Sequence, residues 1–315
     1  MNDELINEDG IETKQNGVNK KKCFVILAIS FILIICLVIF LIFIFREKEE
    51  KEEKEEKEEK EEKCEPGYFP IKGECKPYSF VVTYHKNIIE DTIKLINETY
   101  LDYIGEMYMN NEIFNKVSSY NFSSNGNYTI YFDMDISSLE SLENMFDGII
   151  KMTLIKFSPT FNTKNIKNLN YMFYECYGLT SIDFSNFDTS SVTSVEGMFR
   201  FCRSLISLDV STFKTSNMTN MNSFFDNCWL LTSLDVSNFD TSKVTNMGNM
   251  FNGLNSLKSL DVSNFDTSRV TNMNAMFSCP SLKSLDISNF NTSSVISMIS
   301  VCICWLYIFN FIKSE

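Results

Sequence analysis

The chain has 315 residues, 28 Lys plus Arg against 41 Asp plus Glu, a formal net charge of −13 and 44% hydrophobic content. That length can hold two domains with real cores, and the acidic balance argues against a nucleic-acid partner, which would want a basic face. A single histidine, His85, leaves histidine catalysis and His-rich metal sites almost nothing to build with.

Residues 1–22 are polar and charged and read as a disordered cytoplasmic tail ending in Lys20, Lys21 and Lys22. Cys23 to Phe45 is an uncharged apolar run. As a helix it would measure about 34 Å against a hydrocarbon core of about 30 Å, so a single transmembrane helix over 23–45, a signal anchor, is expected. A cleaved signal peptide fits less well, because the run is long and meets Arg46-Glu47-Lys48. Lys and Arg counts alone lean towards the opposite orientation. The distal sequons and paired cysteines place the C-terminal part outside, at the plasma membrane.

Residues 46–63 repeat Lys-Glu-Glu, with Glu50 facing Lys54 and Glu53 facing Lys57 at i, i+4. Such a run supports itself as a charged helical stalk of coiled-coil composition. Residues 64–78 then carry Cys64-Glu-Pro-Gly-Tyr and Cys75 around Pro-Gly turns. In an oxidising compartment a Cys64–Cys75 disulfide is expected there.

Residues 79–137 have strand rhythm. Phe80 to Tyr84, Thr92 to Ile96, Met107 to Phe114 and Tyr128 to Ile136 are short β-like runs, the third broken by Asn110-Asn111. Such a unit reads as a small antiparallel β cap for the repeats that follow, and His85 as an ordinary strand or surface residue in it.

From 138 to 294 the chain repeats itself. Ile182, Leu208, Leu234, Leu260 and Leu285 head successive Asp-Val/Ile-Ser or related segments at steps of 26, 26, 26 and 25. A closing Phe falls at 146, 173, 199, 225, 251 and 277. A period of this size signals units that bury an apolar face only against their neighbours. Within one unit, Leu234 and Val236 alternate with polar partners as in a short strand. Val244, Met247, Met250 and Phe251 follow at i, i+3, i+6 and i+7, as on a helical face. The expectation is an α/β repeat solenoid of parallel strands with short helical returns and two columns of Phe.

The unit Leu-x-Ser-Leu-Asp-Val-Ser-Asn-Phe-Asp-Thr-Ser-x-Val-Thr-Asn-Met-x-x-Met-Phe-x-x-Cys resembles the BspA-type leucine-rich repeats of microbial and protist surface proteins. That group includes the repeat family first noted in mycoplasma lipoproteins. The resemblance covers about residues 138 to 301 and implies a leucine-rich-repeat-like fold at a cell surface, used for adhesion, with no catalytic residues to carry over. The pattern departs after Val295, where Met-x-x-Met-Phe is lost. Residues 295–315 are strongly apolar and read as a C-terminal cap helix or a second membrane segment.

Asp183, Asp209, Asp235, Asp261 and Asp286 recur once per unit and are expected in a row on a concave face. Two like charges about 4.8 Å apart in water repel by about 0.9 kcal/mol. The row is therefore either spread by solvent and hydrogen bonds, or an acidic binding face for a basic or hydroxyl-rich partner or for Ca²⁺. Cys176, Cys202 and Cys228, also one per unit, read as buried thiols. Asn97, Asn121, Asn127, Asn217 and Asn291 begin Asn-x-Ser/Thr sequons, acceptors for N-glycans in a eukaryotic secreted chain. No nucleophile with a base, no HExxH and no phosphate loop occurs, so no enzyme and no cofactor is expected. The function expected is binding of an extracellular protein or glycan, in adhesion to host cells, extracellular matrix or other microbes. The alternative is a structural coat or scaffold without a specific ligand.

Overall fold

The computed structural model describes residues 45, 46, 48, 64–72, 74–87 and 92–299. Contacts divide the chain into two units, Met1–Lys63 and Cys64–Glu315. Almost all the described residues belong to the second.

That unit opens with a hairpin of β1 (Tyr68–Ile71) and β2 (Glu74–Pro77), closed by the Cys64–Cys75 disulfide with Cα atoms 5.7 Å apart. Then come β3 (Phe80–Lys86), β4 (Ile93–Lys94), a 3-10 helix (Glu98–Tyr103) and β5 (Ile104–Met109). They are followed by β6 (Glu112–Phe114), β7 (Ser119–Tyr120), β8 (Gly126–Met134), β9 (Met152–Phe157) and β10 (Ser181–Asp183). Two short strands deep in the repeats, β11 (Phe251–Asn252) and β12 (Phe277–Ser278), pair in parallel.

Six of these strands form one sheet in the order β10-β9-β3-β8-β5-β6. In β3, Phe80, Val82 and Tyr84 alternate with the less buried Val81, Thr83 and His85, and all three of the first set are completely buried. The break at Asn110-Asn111 is the hairpin turn between β5 and β6, with both asparagines at positive φ, as a two-residue turn of this hand requires. The hand-over to the repeats happens at β9. On one side it pairs antiparallel with β3, Ile155 opposite Val82; on the other it pairs parallel with β10, Ile155 opposite Ile182. The cap sheet thus supplies the edge on which the first repeat unit is laid.

From there each unit lies against the next in strict register. Parallel bridges join Asn168 to Ser194, Ser194 to Asn220, Asn220 to Asn246, Asn246 to Asn272 and Asn272 to Ser297. The closing phenylalanines stack into a spine. Phe173–Phe199, Phe199–Phe225, Phe225–Phe251 and Phe251–Phe277 have centroids 5.8, 6.0, 5.9 and 5.6 Å apart, with interplanar angles of 6°, 9°, 13° and 8°. Offset stacking at this separation suits the ring quadrupoles. A second set, Phe213, Phe239 and Phe265, is also buried, and Phe265 packs against the spine at Phe251.

The expected α/β leucine-rich-repeat-like solenoid with helical returns is corrected here. The described residues are sheet and turns, and the 3-10 helix Glu98–Tyr103 is the only helix among them besides Phe45, Arg46 and Lys48. Val244, Met247, Met250 and Phe251 are all fully buried, but on a non-helical path of turns and irregular backbone that ends in β11. The reason lies in where the backbone bonds go. The N–H groups of Met247, Asn249 and Phe251 donate to Asn272, Asn274 and Met276 of the next unit, at 2.9, 2.7 and 2.9 Å. Those of Met250 and Asn252 between them donate three residues back, to Met247 and Asn249. Alternation between neighbour and turn yields an apolar spacing of three without a helix, and Asn249 at φ 55° lies outside helical space. The strand expected at Leu234–Val236 is likewise absent, leaving the Ser207–Ser233 bridge beside it.

The membrane expectations are corrected too. Among the described residues no helix is long and apolar enough to cross a membrane, which stands against the single-pass span and the plasma-membrane localisation built on it. The span expected over 23–45 lies outside the described residues except for Phe45. The 46–63 stalk lies outside them except for Arg46 and Lys48. No coiled coil occurs among the described residues. Of the apolar tail, 295–299 are described and extend the ladder, with Met273 N–H donating to Ser297 O at 2.9 Å; the cap helix or second span expected beyond lies outside.

Candidate functional site

The five aspartates stand once per unit, as the sequence spacing predicts, and are exposed apart from the half-buried Asp183. Each has a local task. The Oδ1 atoms of Asp183, Asp209, Asp235, Asp261 and Asp286 accept the backbone N–H of Ser185, Ser211, Ser237, Ser263 and Ser288 at 2.9 to 3.0 Å, closing an Asx turn. The Ser237 side-chain and backbone bonds hold the Asp235 carboxyl below the ordinary aspartate range, and the Ser263 bonds do the same for Asp261. Asp183 also meets Lys156 at 3.4 Å. Among the described residues no three His, Cys, Asp or Glu side chains converge as metal ligands would. The row is a column of turn-formers with one carboxylate oxygen already engaged.

The cysteine column is internal. Cys176, Cys202 and Cys228 are free and fully buried, and their thiols donate to the carbonyls of Phe146, Phe173 and Phe199 at 3.0, 3.1 and 3.1 Å. Burial pushes all three thiols well up, the reverse of what a nucleophile needs. His85 sits on β3 with Nδ1 2.8 Å from Asn127 Oδ1.

The sequons divide by geometry. Asn97 is half-buried, caps the 3-10 helix through Thr99 N–H at 3.2 Å and donates from Nδ2 to Asn144 O. Asn217 donates from Nδ2 to Ser190 O at 2.8 Å. Asn121, Asn127 and Asn291 are exposed and use only Oδ1 as an acceptor or contact, towards Lys86, His85 and Ser293 respectively.

A cluster that the sequence spacing does not announce lies where the units differ from one another, just after each closing Phe. Tyr174, Arg200, Asp226 and Asn252 occupy one position in successive units; Tyr177, Arg203, Trp229 and Asn255 occupy another. The guanidinium of Arg203 lies 4.7 Å from the Tyr177 ring centroid and 4.1 Å from that of Trp229. Phe201 sits beside both arginines, 4.9 Å from Arg200 and 5.3 Å from Arg203. Arg200 is paired, its Nε 2.8 Å from Asp226 Oδ2. Asp226 is almost fully buried, so burial raises its carboxyl pKa, against hydrogen bonds from Asn252, Arg200 and Asn227. Ile206 and Leu230 beside the cluster are about half exposed, at 56% and 49%, and Trp229 is 38% exposed. In the same positions of other units stand Thr180, Thr232 and Lys258, or Gly178, Ser204 and Ser256. The signal was available in the sequence as the stretch that breaks the near-identity of the units.

No curated protein and no solved structure matches the chain. The family described as Mycoplasma protein of unknown function, DUF285, matches residues 111–233 and again residues 219–303. The two matches together run from 111 to 303, or 193 of 315 positions, taking in the end of the cap sheet and the repeats. The chain therefore belongs to the DUF285 family of Mycoplasma proteins of unknown function.

Proposed function

We propose that this protein works outside the cell as a non-enzymatic binding protein, adhering to host cells, extracellular matrix or other microbes through its repeat units. The finer kinship, with BspA-type leucine-rich-repeat surface proteins, belongs to the same proposal and rests on the repeat motif alone. The observation that carries the reading is the contrast within the repeats. A framework of Phe, Thr, Asn and Asp is copied almost unchanged, while half-buried Arg and Tyr and the exposed Trp229 gather on the stretch where the copies diverge. Those three residue types dominate the energetics of protein interfaces. The Cys64–Cys75 bridge suits an oxidising compartment, which supports an extracellular setting. Buried thiols of raised pKa leave the cysteine column without nucleophilic use.

The test is binding of the purified chain to glycan and matrix-protein arrays and to cultured cells. Saturable binding that weakens on Trp229→Ala supports the reading. Self-association with no binding to any surface overturns it in favour of a structural coat.

A further inference from the structure

The geometry points to Arg203 as a receptor for a carboxylate on an acidic, apolar peptide segment of a partner protein. This rests on, and sharpens, the binding role proposed above. The Arg203 guanidinium lies over the rings of both Tyr177 and Trp229, which hold the matching positions in the units before and after its own. A cation over a ring face is attracted by the ring quadrupole, and two such rings hold it in place. Among the described residues no carboxylate pairs with this side chain as Asp226 pairs with Arg200, and because its Nε is buried the guanidinium can meet a ligand only through its two Nη groups. A guanidinium stacked on aromatic rings and without a carboxylate of its own matches one kind of group best, a two-oxygen anion that meets both Nη groups at once.

The neighbours choose between sources of that anion. Leu230 and Ile206 are exposed aliphatics, contributed by units that carry Ser, Thr, Gly or Lys at these positions elsewhere. Aliphatic surface offers little to a hydroxylated sugar and much to a Leu or Phe side chain. The fitting partner is therefore a peptide in which a Glu or Asp adjoins a large apolar residue, rather than an anionic polysaccharide.

The whole chain, fluorescently labelled, is applied to a peptide array. In one set of peptides each Glu is followed by Leu or Phe, in a second each Glu is followed by Ser, and heparin and hyaluronate are spotted alongside. The first set is expected to bind, with binding reduced about tenfold or more by Arg203→Ala. Arg203→Lys should fail similarly, since a point charge cannot reproduce the held fork, while Asp235→Ser should leave binding intact. An unchanged melting temperature for Arg203→Lys shows that the loss is one of recognition. Equal binding by Arg203→Ala overturns the inference, as does Arg203-dependent binding to heparin or hyaluronate with none to the peptides. If the peptides fail while wild type and Arg203→Ala adhere equally to cells, this site falls and the adhesion role stands. If nothing binds in either assay, both fall.

Discussion

Thr241 holds Asp266 by both ends of its backbone: the Thr241 hydroxyl accepts the Asp266 N–H at 2.8 Å and donates to the Asp266 carbonyl at 3.0 Å. The same two-way bond joins Thr163 to Asp188, Thr189 to Lys214, Thr215 to Asp240 and Thr267 to Asn291. Each of these threonines is buried. Valine has the same shape and neither hydrogen-bonding function. Thr241→Val is expected to cost about 1–3 kcal/mol by leaving both backbone groups short of a partner. Thr241→Ser, which keeps the hydroxyl, should cost less, and urea denaturation of the two variants gives the comparison.

Acid should loosen the repeats. The carboxyls of Asp209, Asp235, Asp261 and Asp286 lie below their ordinary range because of hydrogen bonds from the serine two residues on. A carboxyl depressed in the folded state contributes stability that is complete above its unfolded pKa, about 3.9, and lost as pH falls through the lower folded value. Melting temperature should therefore fall with pH below about 4. Replacing Asp235 and Asp261 by Asn should flatten that fall while keeping the turns, because Asn291 already accepts the Ser293 N–H at 2.9 Å in the equivalent of a second Asp column. A decline in acid of the same steepness in the double Asn variant would rule out this origin.

Gly197 is constrained by a neighbour more than by its backbone. Its φ is +58°, yet the same position in other units is filled by Ser223, Asn249 and Ala275 at φ 53°, 55° and 46°. A Cβ on Gly197 would lie 2.5 Å from the Tyr171 ring. Gly197→Ala should cost about 1–2 kcal/mol for the left-handed backbone, plus whatever displacing that ring adds. In a Tyr171→Ala background the second part should vanish, so a double-mutant cycle separates the two. Ala275→Gly should stabilise by about 1 kcal/mol, since it relieves the same backbone cost.

The spine sets the largest single penalties. Phe225 is fully buried and stacked on Phe199 and Phe251. Phe225→Ala is expected to cost about 3–5 kcal/mol. Chemical denaturation should show the midpoint falling steeply, and Phe225→Leu, which refills much of the volume, should recover most of it. A loss below about 1 kcal/mol would mean that the neighbouring rings close the gap.

Much of this molecule is legible in its sequence as burial and little of it as backbone conformation. Val244, Met247, Met250 and Phe251 are all interior, as their spacing implies. A spacing of three nevertheless arises from turns as readily as from a helix, and only the destination of the N–H groups distinguishes them. The cap strands around Phe80–Tyr84 and Tyr128–Met134 follow from alternation. The part played by Met152–Phe157 does not, because a segment that looks like an irregular repeat head becomes the strand joining sheet to repeats. The aspartates recur once per unit, but the period could not show that each carboxylate is already bonded to its own turn. The Arg203 cluster escapes for the opposite reason: a search for likeness between units passes over the residues in which they differ.

The Thr bonds run from one copy to the residue just before the matching Thr of the next, 25 positions along for Thr163, Thr189, Thr215 and Thr241. Excision or duplication of one whole copy in the gene therefore splices like to like, and every hydroxyl still finds the partner it had. The number of copies is therefore a variable the fold itself leaves free, set by the length of the gene and not by any contact that only one copy can make.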